Sequence, residues 1–173
     1  GAIGRCVALR AKGFQMRVVG YDPFWPTEFA HEQGIEQMEI EQLLKVSDIV
    51  SLHVPLIPET RWIINEKTLG LMKPSAILIN AARGGIVNET DLCKALKNKV
   101  IAGAGLDVFE NEPPTDSELL ELDNVVLTPH TAAFTFEGMN NMSVGVVEQL
   151  IAYYHGNKPV HTVNPEVWDA QKA

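Results

Sequence analysis

The sequence predicts an α/β fold, a doubly wound parallel sheet whose first strand is missing from the chain. Three observations predict it. Helix-like and strand-like periodicities alternate about six times along the 173 residues. The strand-like runs, such as DIVSLHV at 48–54 and AILINA at 76–81, are apolar throughout, the pattern of parallel strands covered on both faces. Polar and glycine residues gather directly after these runs, at the carboxyl ends of strands where such sheets bind ligands.

Taken in order, residues 7–12 read as the end of a helix closed by Gly13. MRVVGY at 16–21 is a strand, and Pro23 and Pro26 punctuate the loop after it. A short helix over 26–33 ends at Gly34. The next, over 40–46, turns Leu43 and Leu44 inward. The strand within 48–54 precedes a helix over 65–72 that Pro74 stops; the strand 76–81 precedes a helix over 89–98. A slim strand lies within 100–108, where Gly103, Ala104 and Gly105 leave little side-chain bulk, and a last strand covers 124–128. The long helix 136–154 has Met139, Met142, Val146, Val147, Leu150 and Tyr154 at apolar positions, and residues 156–173 carry no clear element. Right-handed crossovers between successive strands produce the doubly wound layers.

Composition narrows the function classes. The chain is 46% hydrophobic and 21% charged, a globular profile, with a formal net charge of −8. That balance disfavours nucleic acid and anionic membrane as main partners. No apolar run reaches the roughly 20 residues a membrane span needs. Cys6 and Cys93 share no short spacing and no secretory leader is visible, so reduced thiols and a cytoplasmic protein are expected. No metal site is expected.

The residues after the strands are chemically pointed: Asp22, His53 with Pro55, Ala82 with Arg83, Asp107, and His130. The turn Arg83-Gly84-Gly85 allows close backbone approach to a ligand and positive φ. At the start of the chain, Gly1-Ala2-Ile3-Gly4 fits the second and third glycines of G-x-G-x-x-G, the turn that leads into a helix whose N-terminal amides hold a pyrophosphate. Asp22 follows Gly4 by 18 residues, near the ~20 at which an acid accepts both ribose hydroxyls and repels a 2′-phosphate. The spacing therefore favours NAD over NADP. Because the first glycine and its strand precede Gly1, a fragment of a longer protein is expected.

Three blocks together resemble the signature segments of the D-isomer-specific 2-hydroxyacid dehydrogenases, the family of the D-lactate, D-3-phosphoglycerate and glyoxylate/hydroxypyruvate enzymes. They are LINAARGGIVN at 78–88, AGLDVFENEPP at 104–114 and NVVLTPHTAA at 124–133, supported by SLHVPL at 51–56 and PET at 58–60. The resemblance implies a Rossmann-like domain, NAD as cofactor, and hydride transfer to or from a small 2-hydroxy/2-keto acid. It makes Arg83 the arginine that binds the substrate carboxylate, His130 the catalytic histidine and Glu112 its carboxylate partner. The chemistry suits those residue types. A proton must leave with the hydride, and histidine titrates nearest neutrality. An adjacent carboxylate fixes its tautomer and stabilises its charged form. A guanidinium grips a carboxylate with two parallel bonds, which lysine cannot copy.

The same resemblance implies pyrophosphate contacts from Gly1, Ala2, Ile3 and Gly4, adenine and ribose contacts from Asp22, Pro55 and Thr60, and nicotinamide-side contacts from Ala81, Arg83, Asp107, His130 and Ala133. Glu112 stands where formate dehydrogenases of the superfamily have Gln, which argues for hydroxyacid chemistry. Thr131-Ala132-Ala133-Phe134 departs from the usual apolar-Gly-Gly or apolar-Ala-Gly. His31, His53, His155 and His161 read as structural or surface residues, His53 least securely because it ends a strand on the cofactor path. The expected division is an N-terminally truncated NAD-binding domain, 1–136, and a long helix with a return segment toward an absent substrate domain, 137–173. A homodimer is implied, and little turnover is expected from the chain alone. An NAD-sensing binding protein, such as the co-repressors that share this fold, is the alternative class. Another chemistry on the same scaffold, such as phosphite oxidation, is a third.

Overall fold

The computed structural model describes residues 1–170. The chain divides into two compact units, Gly1–His130 and the residues from Thr131 onward.

The first unit holds the predicted alternation. Helix α1 (Ala2–Gly13) precedes β1 (Val19–Gly20), α2 (Thr27–Gln33), β2 (Glu36–Gln37), α3 (Ile40–Val46) and β3 (Ile49–Leu52). Then come α4 (Glu66–Leu69), β4 (Ile77–Asn80), α5 (Glu89–Lys97), β5 (Gly103–Leu106), a 3-10 turn (Glu118–Glu121) and β6 (Val125–Leu127). Strands β3-β4-β5-β6 form one all-parallel sheet in that order, with Val50 beside Leu78, Leu78 beside Ala104 and Ala104 beside Val125. Strands β1 and β2 pair in parallel as a separate ribbon, Val19 with Glu36.

Local chemistry accounts for the boundaries. Gly34 caps α2 in the left-handed conformation, φ +60°, which glycine adopts without a Cβ clash. Asn65 opens α4 with a capping box: its side chain accepts from the Lys67 and Thr68 amides while Thr68 Oγ1 accepts from the Asn65 amide. Asn88 caps α5 by accepting from the Asp91 amide. Leu92, Cys93, Ala95 and Leu96 then lie buried along one side of α5.

The core lies on one face of the four-stranded sheet. Val50, Leu78, Ala104 and Leu106 pack there with Leu44 of α3, Leu69 of α4 and Leu92 and Leu96 of α5. Leu43 is partly buried against the same cluster, so the expected inward pair on α3 is present. The expectation that both faces are covered is corrected: burial alternates along β3 and β4, and Ile49, Ser51 and Ile77 are exposed. Small residues explain part of this, since Gly103 and Gly105 bring no side chain to the face of β5 that adjoins Ile77.

In the second unit, α6 (Phe136–Tyr154) has the predicted bounds, and Thr135 caps it by accepting from the Gly138 amide. None of its residues is buried. The stretch expected to lack an element contains α7 (Glu166–Ala170). Tyr153 packs edge-on against both Tyr154 and Trp168 within this unit. No helix among the described residues is long and apolar enough to cross a membrane.

Candidate active site

The carboxyl ends of β4, β5 and β6 carry the polar residues of interest. Strand β4 ends at Asn80, a buried amide with 2% exposure. Its Oδ1 accepts from the Ala82 amide at 3.1 Å and its Nδ2 donates to the Arg83 carbonyl at 3.0 Å. One side chain thus shapes the turn that presents Arg83. Sequence reasoning took Asn80 only as a strand residue; the signal it overlooked was a polar residue closing an apolar strand. Asn80→Leu removes both bonds and leaves two backbone groups unpaired, so it is expected to destabilise the first unit by roughly 2–4 kcal/mol. Urea denaturation measures this directly, and a midpoint equal to that of the wild type would refute the role.

Gly84 follows Arg83 at closest contact. A Cβ there would lie 1.8 Å from the Phe109 carbonyl oxygen. Packing against the β5 loop by itself requires a glycine here. Gly85 has the anticipated positive φ, +79°. The Arg83 guanidinium is exposed and donates to the Ala82 carbonyl at 2.6 Å.

Beyond β5, Asp107 is buried and accepts from Thr128 Oγ1 at 2.5 Å, while its amide donates to the Asn80 carbonyl at 2.9 Å. Glu112 folds back on its own loop, where Oε1 accepts from the Phe109 amide at 3.1 Å. Its Oε2 meets His130 Nδ1 at 2.8 Å. The hydrogen bond with His130, then that with the Phe109 amide, hold the Glu112 carboxyl below the usual carboxylate range. His130 itself sits at φ +54°, a conformation that costs a non-glycine residue about 1–3 kcal/mol and recurs at functional sites.

Beyond β1, Asp22 lies against the start of α1. Its Oδ2 lies 3.0 Å from the Gly1 nitrogen and its Oδ1 accepts from the Phe24 amide at 2.9 Å. Burial raises the Asp22 carboxyl, and the Phe24 amide lowers it. Gly4 faces His53, whose ring lies 3.6 Å from where a Cβ would stand. Burial lowers the His53 pKa, which favours the neutral ring, and Ser51 Oγ lies 3.0 Å from its Nε2. His53 thus borders the glycine turn, a neighbour that the sequence reading set aside. Thr60 Oγ1 donates to the Pro55 carbonyl at 2.5 Å and accepts from the Ile57 amide, so those two expected contacts belong to one tight loop. Ala81 is exposed at the end of β4. Ala133 belongs to the second unit, where its carbonyl accepts from the Thr135 amide. Both cysteines are free, Cys6 exposed and Cys93 buried. No group of three or more metal-ligating side chains occurs among the described residues.

A parallel α/β sheet with polar side chains gathered at the carboxyl ends of its strands is the architecture of a nucleotide-binding domain. The family model of the D-isomer specific 2-hydroxyacid dehydrogenase NAD binding domain matches residues 1–132. The chain belongs to that family. It is 51% identical to a glyoxylate reductase of Korarchaeum cryptofilum over 168 residues, 96% of this chain and 51% of that protein. It is 46% identical to a D-3-phosphoglycerate dehydrogenase of Methanocaldococcus jannaschii, covering 95% of this chain and 32% of the other. Among solved structures, an NAD-complexed D-isomer specific 2-hydroxyacid dehydrogenase from Lactobacillus delbrueckii ssp. bulgaricus superposes with a TM-score of 0.86 at 38% identity, covering 95% of this chain and 54% of that one. The chain spans about half the length of the glyoxylate reductases it matches.

Proposed function

We propose that the complete protein containing this chain transfers a hydride between NAD(H) and a D-2-hydroxy/2-keto acid. The 2.8 Å contact between His130 and Glu112 carries the reading. With Nδ1 engaged by the carboxylate, Nε2 is the ring nitrogen left to take a proton from a substrate hydroxyl or return one to a carbonyl oxygen. Glu112 stabilises the imidazolium that forms. Arg83, presented by the Asn80-shaped turn, binds the substrate carboxylate with its planar fork and orients the reacting carbon.

The residues at the other end suit NAD. Helix α1 has 12 residues and begins at the glycine turn, so its first amides offer a site for a pyrophosphate through Gly1, Ala2, Ile3 and Gly4. Asp22 beside that turn is a ribose acceptor and disfavours a 2′-phosphate. The bound nicotinamide supplies the hydride acceptor and donor. Pro55, Thr60, Ala81, Asp107 and Ala133 complete the proposed cofactor contacts. The segment 137–173 is assigned to a substrate domain, and the complete protein is read as a cytoplasmic homodimer.

A steady-state assay of the complete protein with NADH and a panel of 2-keto acids tests this, with glyoxylate included because several relatives are named for its reduction. Oxidation of NADH by at least one of them is expected, with NADPH the poorer donor. Tight NADH binding with no turnover across the panel would overturn the enzyme reading in favour of a cofactor-sensing protein.

A further inference from the structure

Glu112 meets His130 from a loop, and three residues not yet given a role tie that loop down from behind. Glu89 opens α5, and Glu110 stands two positions before Glu112. Their main chains and carboxylates are bonded crosswise: the Glu89 amide donates to Glu110 Oε1 at 3.1 Å, and the Glu110 amide donates to Glu89 Oε1 at 2.5 Å. The indole Nε1 of Trp62 donates to the same Glu110 oxygen at 3.1 Å. Meanwhile the Trp62 amide donates to the Gly85 carbonyl at 2.9 Å. Trp62 is therefore bonded at once to the turn that presents Arg83 and to the loop that presents Glu112.

The arrangement is held against local preference. Trp62 adopts φ +50°, a region that bulky residues rarely enter. Arg61 lies over its ring, 4.5 Å from guanidinium carbon to centroid, a favourable cation–π geometry. Burial raises the Glu89 carboxyl; the Glu110 amide lowers it, and the charges of Glu110 and Glu112 raise it further. Like charges kept this close, around a residue in an uncommon backbone state, are the sort of local rule-breaking that marks functional sites.

We propose that Trp62, Glu110 and Glu89 are positioning residues that staple the Glu112 loop to the Arg83 turn and so set the Glu112–His130 pair. This rests on the acid–base reading of that pair given above.

Amide hydrogen exchange on the complete protein tests it with Glu110→Ala, Glu110→Gln and Trp62→Phe. Glutamine keeps a carbonyl oxygen to accept from Trp62 and Glu89, whereas alanine does not. The probe is the Phe109 amide, which reports the seat of Glu112. It is expected to exchange about tenfold faster in Glu110→Ala and Trp62→Phe, as for the loss of one net hydrogen bond. In Glu110→Gln it should stay within about twofold of wild type. Leu78 and Ala104, in the central strands, should keep their protection in every variant. The carboxyl ¹³C titration of Glu112 should move upward in Glu110→Ala as its partners loosen. Unchanged Phe109 exchange in Glu110→Ala, glutamine behaving as alanine does, or equal loss of protection in the central strands would each overturn the staple. None of these measurements needs turnover or bound cofactor. A complete protein inactive on 2-keto acids would refute the hydride-transfer reading while leaving the staple measurable.

Discussion

His130→Gln in the complete protein is expected to lower kcat for 2-keto acid reduction by about 10²- to 10⁴-fold, the usual worth of a positioned acid–base group. The KM for NADH should change little, because the proposed cofactor grip lies in α1 and Asp22. Glu112→Gln should fall in the same direction but less far, since the single glutamine oxygen keeps an acceptor for His130 while the bond from the Phe109 amide and the charge that stabilises an imidazolium are lost. Steady-state kinetics of both variants decide the matter, and a His130 variant within threefold of wild type, roughly the scatter of ordinary surface changes, would end the catalytic assignment. The pair also gives stability a sign with pH. The Glu112 carboxyl is depressed in the folded state from its ordinary 4.5. Its contribution is therefore complete above that ordinary value and is lost as the pH falls through the depressed one. Urea midpoints followed downward in pH should decline less steeply in Glu112→Gln.

Gly84→Ala should be the most destabilising single-methyl addition in the first unit. The new Cβ would fall 1.8 Å from the Phe109 oxygen and 2.2 Å from its carbonyl carbon, so two backbones must part. A loss of about 3 kcal/mol or more is expected, the upper end for overpacking. Gly145 in α6 is the contrast: nothing lies within 4 Å of its would-be Cβ, and alanine there should stabilise by about 0.5–1 kcal/mol through helix propensity alone. Thermal melts of the two variants give the comparison, and a Gly84→Ala protein melting with the wild type would show that the contact is dispensable.

Much of the fold was legible because its helices and long strands have strong periods. The helix 136–154 was placed to the residue, and the strands 48–54, 76–81 and 124–128 each contain one observed strand. Strand β2 was invisible because Glu36 and Gln37 are exposed polar residues with no apolar pattern to betray them. Helix α7 was hidden by its length of 5 residues behind two prolines. The His130–Glu112 contact could be anticipated because two separate blocks carried it by resemblance. Trp62 and Glu110 could not be, since they meet each other and Glu89 across long sequence separations that a linear pattern does not record, whereas Asn80 acts on the turn next to it and left a signal as a polar residue closing an apolar strand. At Gly84 the structure adds what a linear pattern does not record, the close main chain of Phe109.

The seam between Gly84 and Phe109 bears on any attempt to transplant specificity. An arginine turn borrowed from another scaffold would arrive without the neighbouring main chain shaped to receive it. Residues 80–89 and 107–112 interlock through Asn80, Gly84, Glu89 and Glu110. They therefore form one exchangeable cassette: chimaeras that swap both stretches together should fold, and those that swap either alone should not.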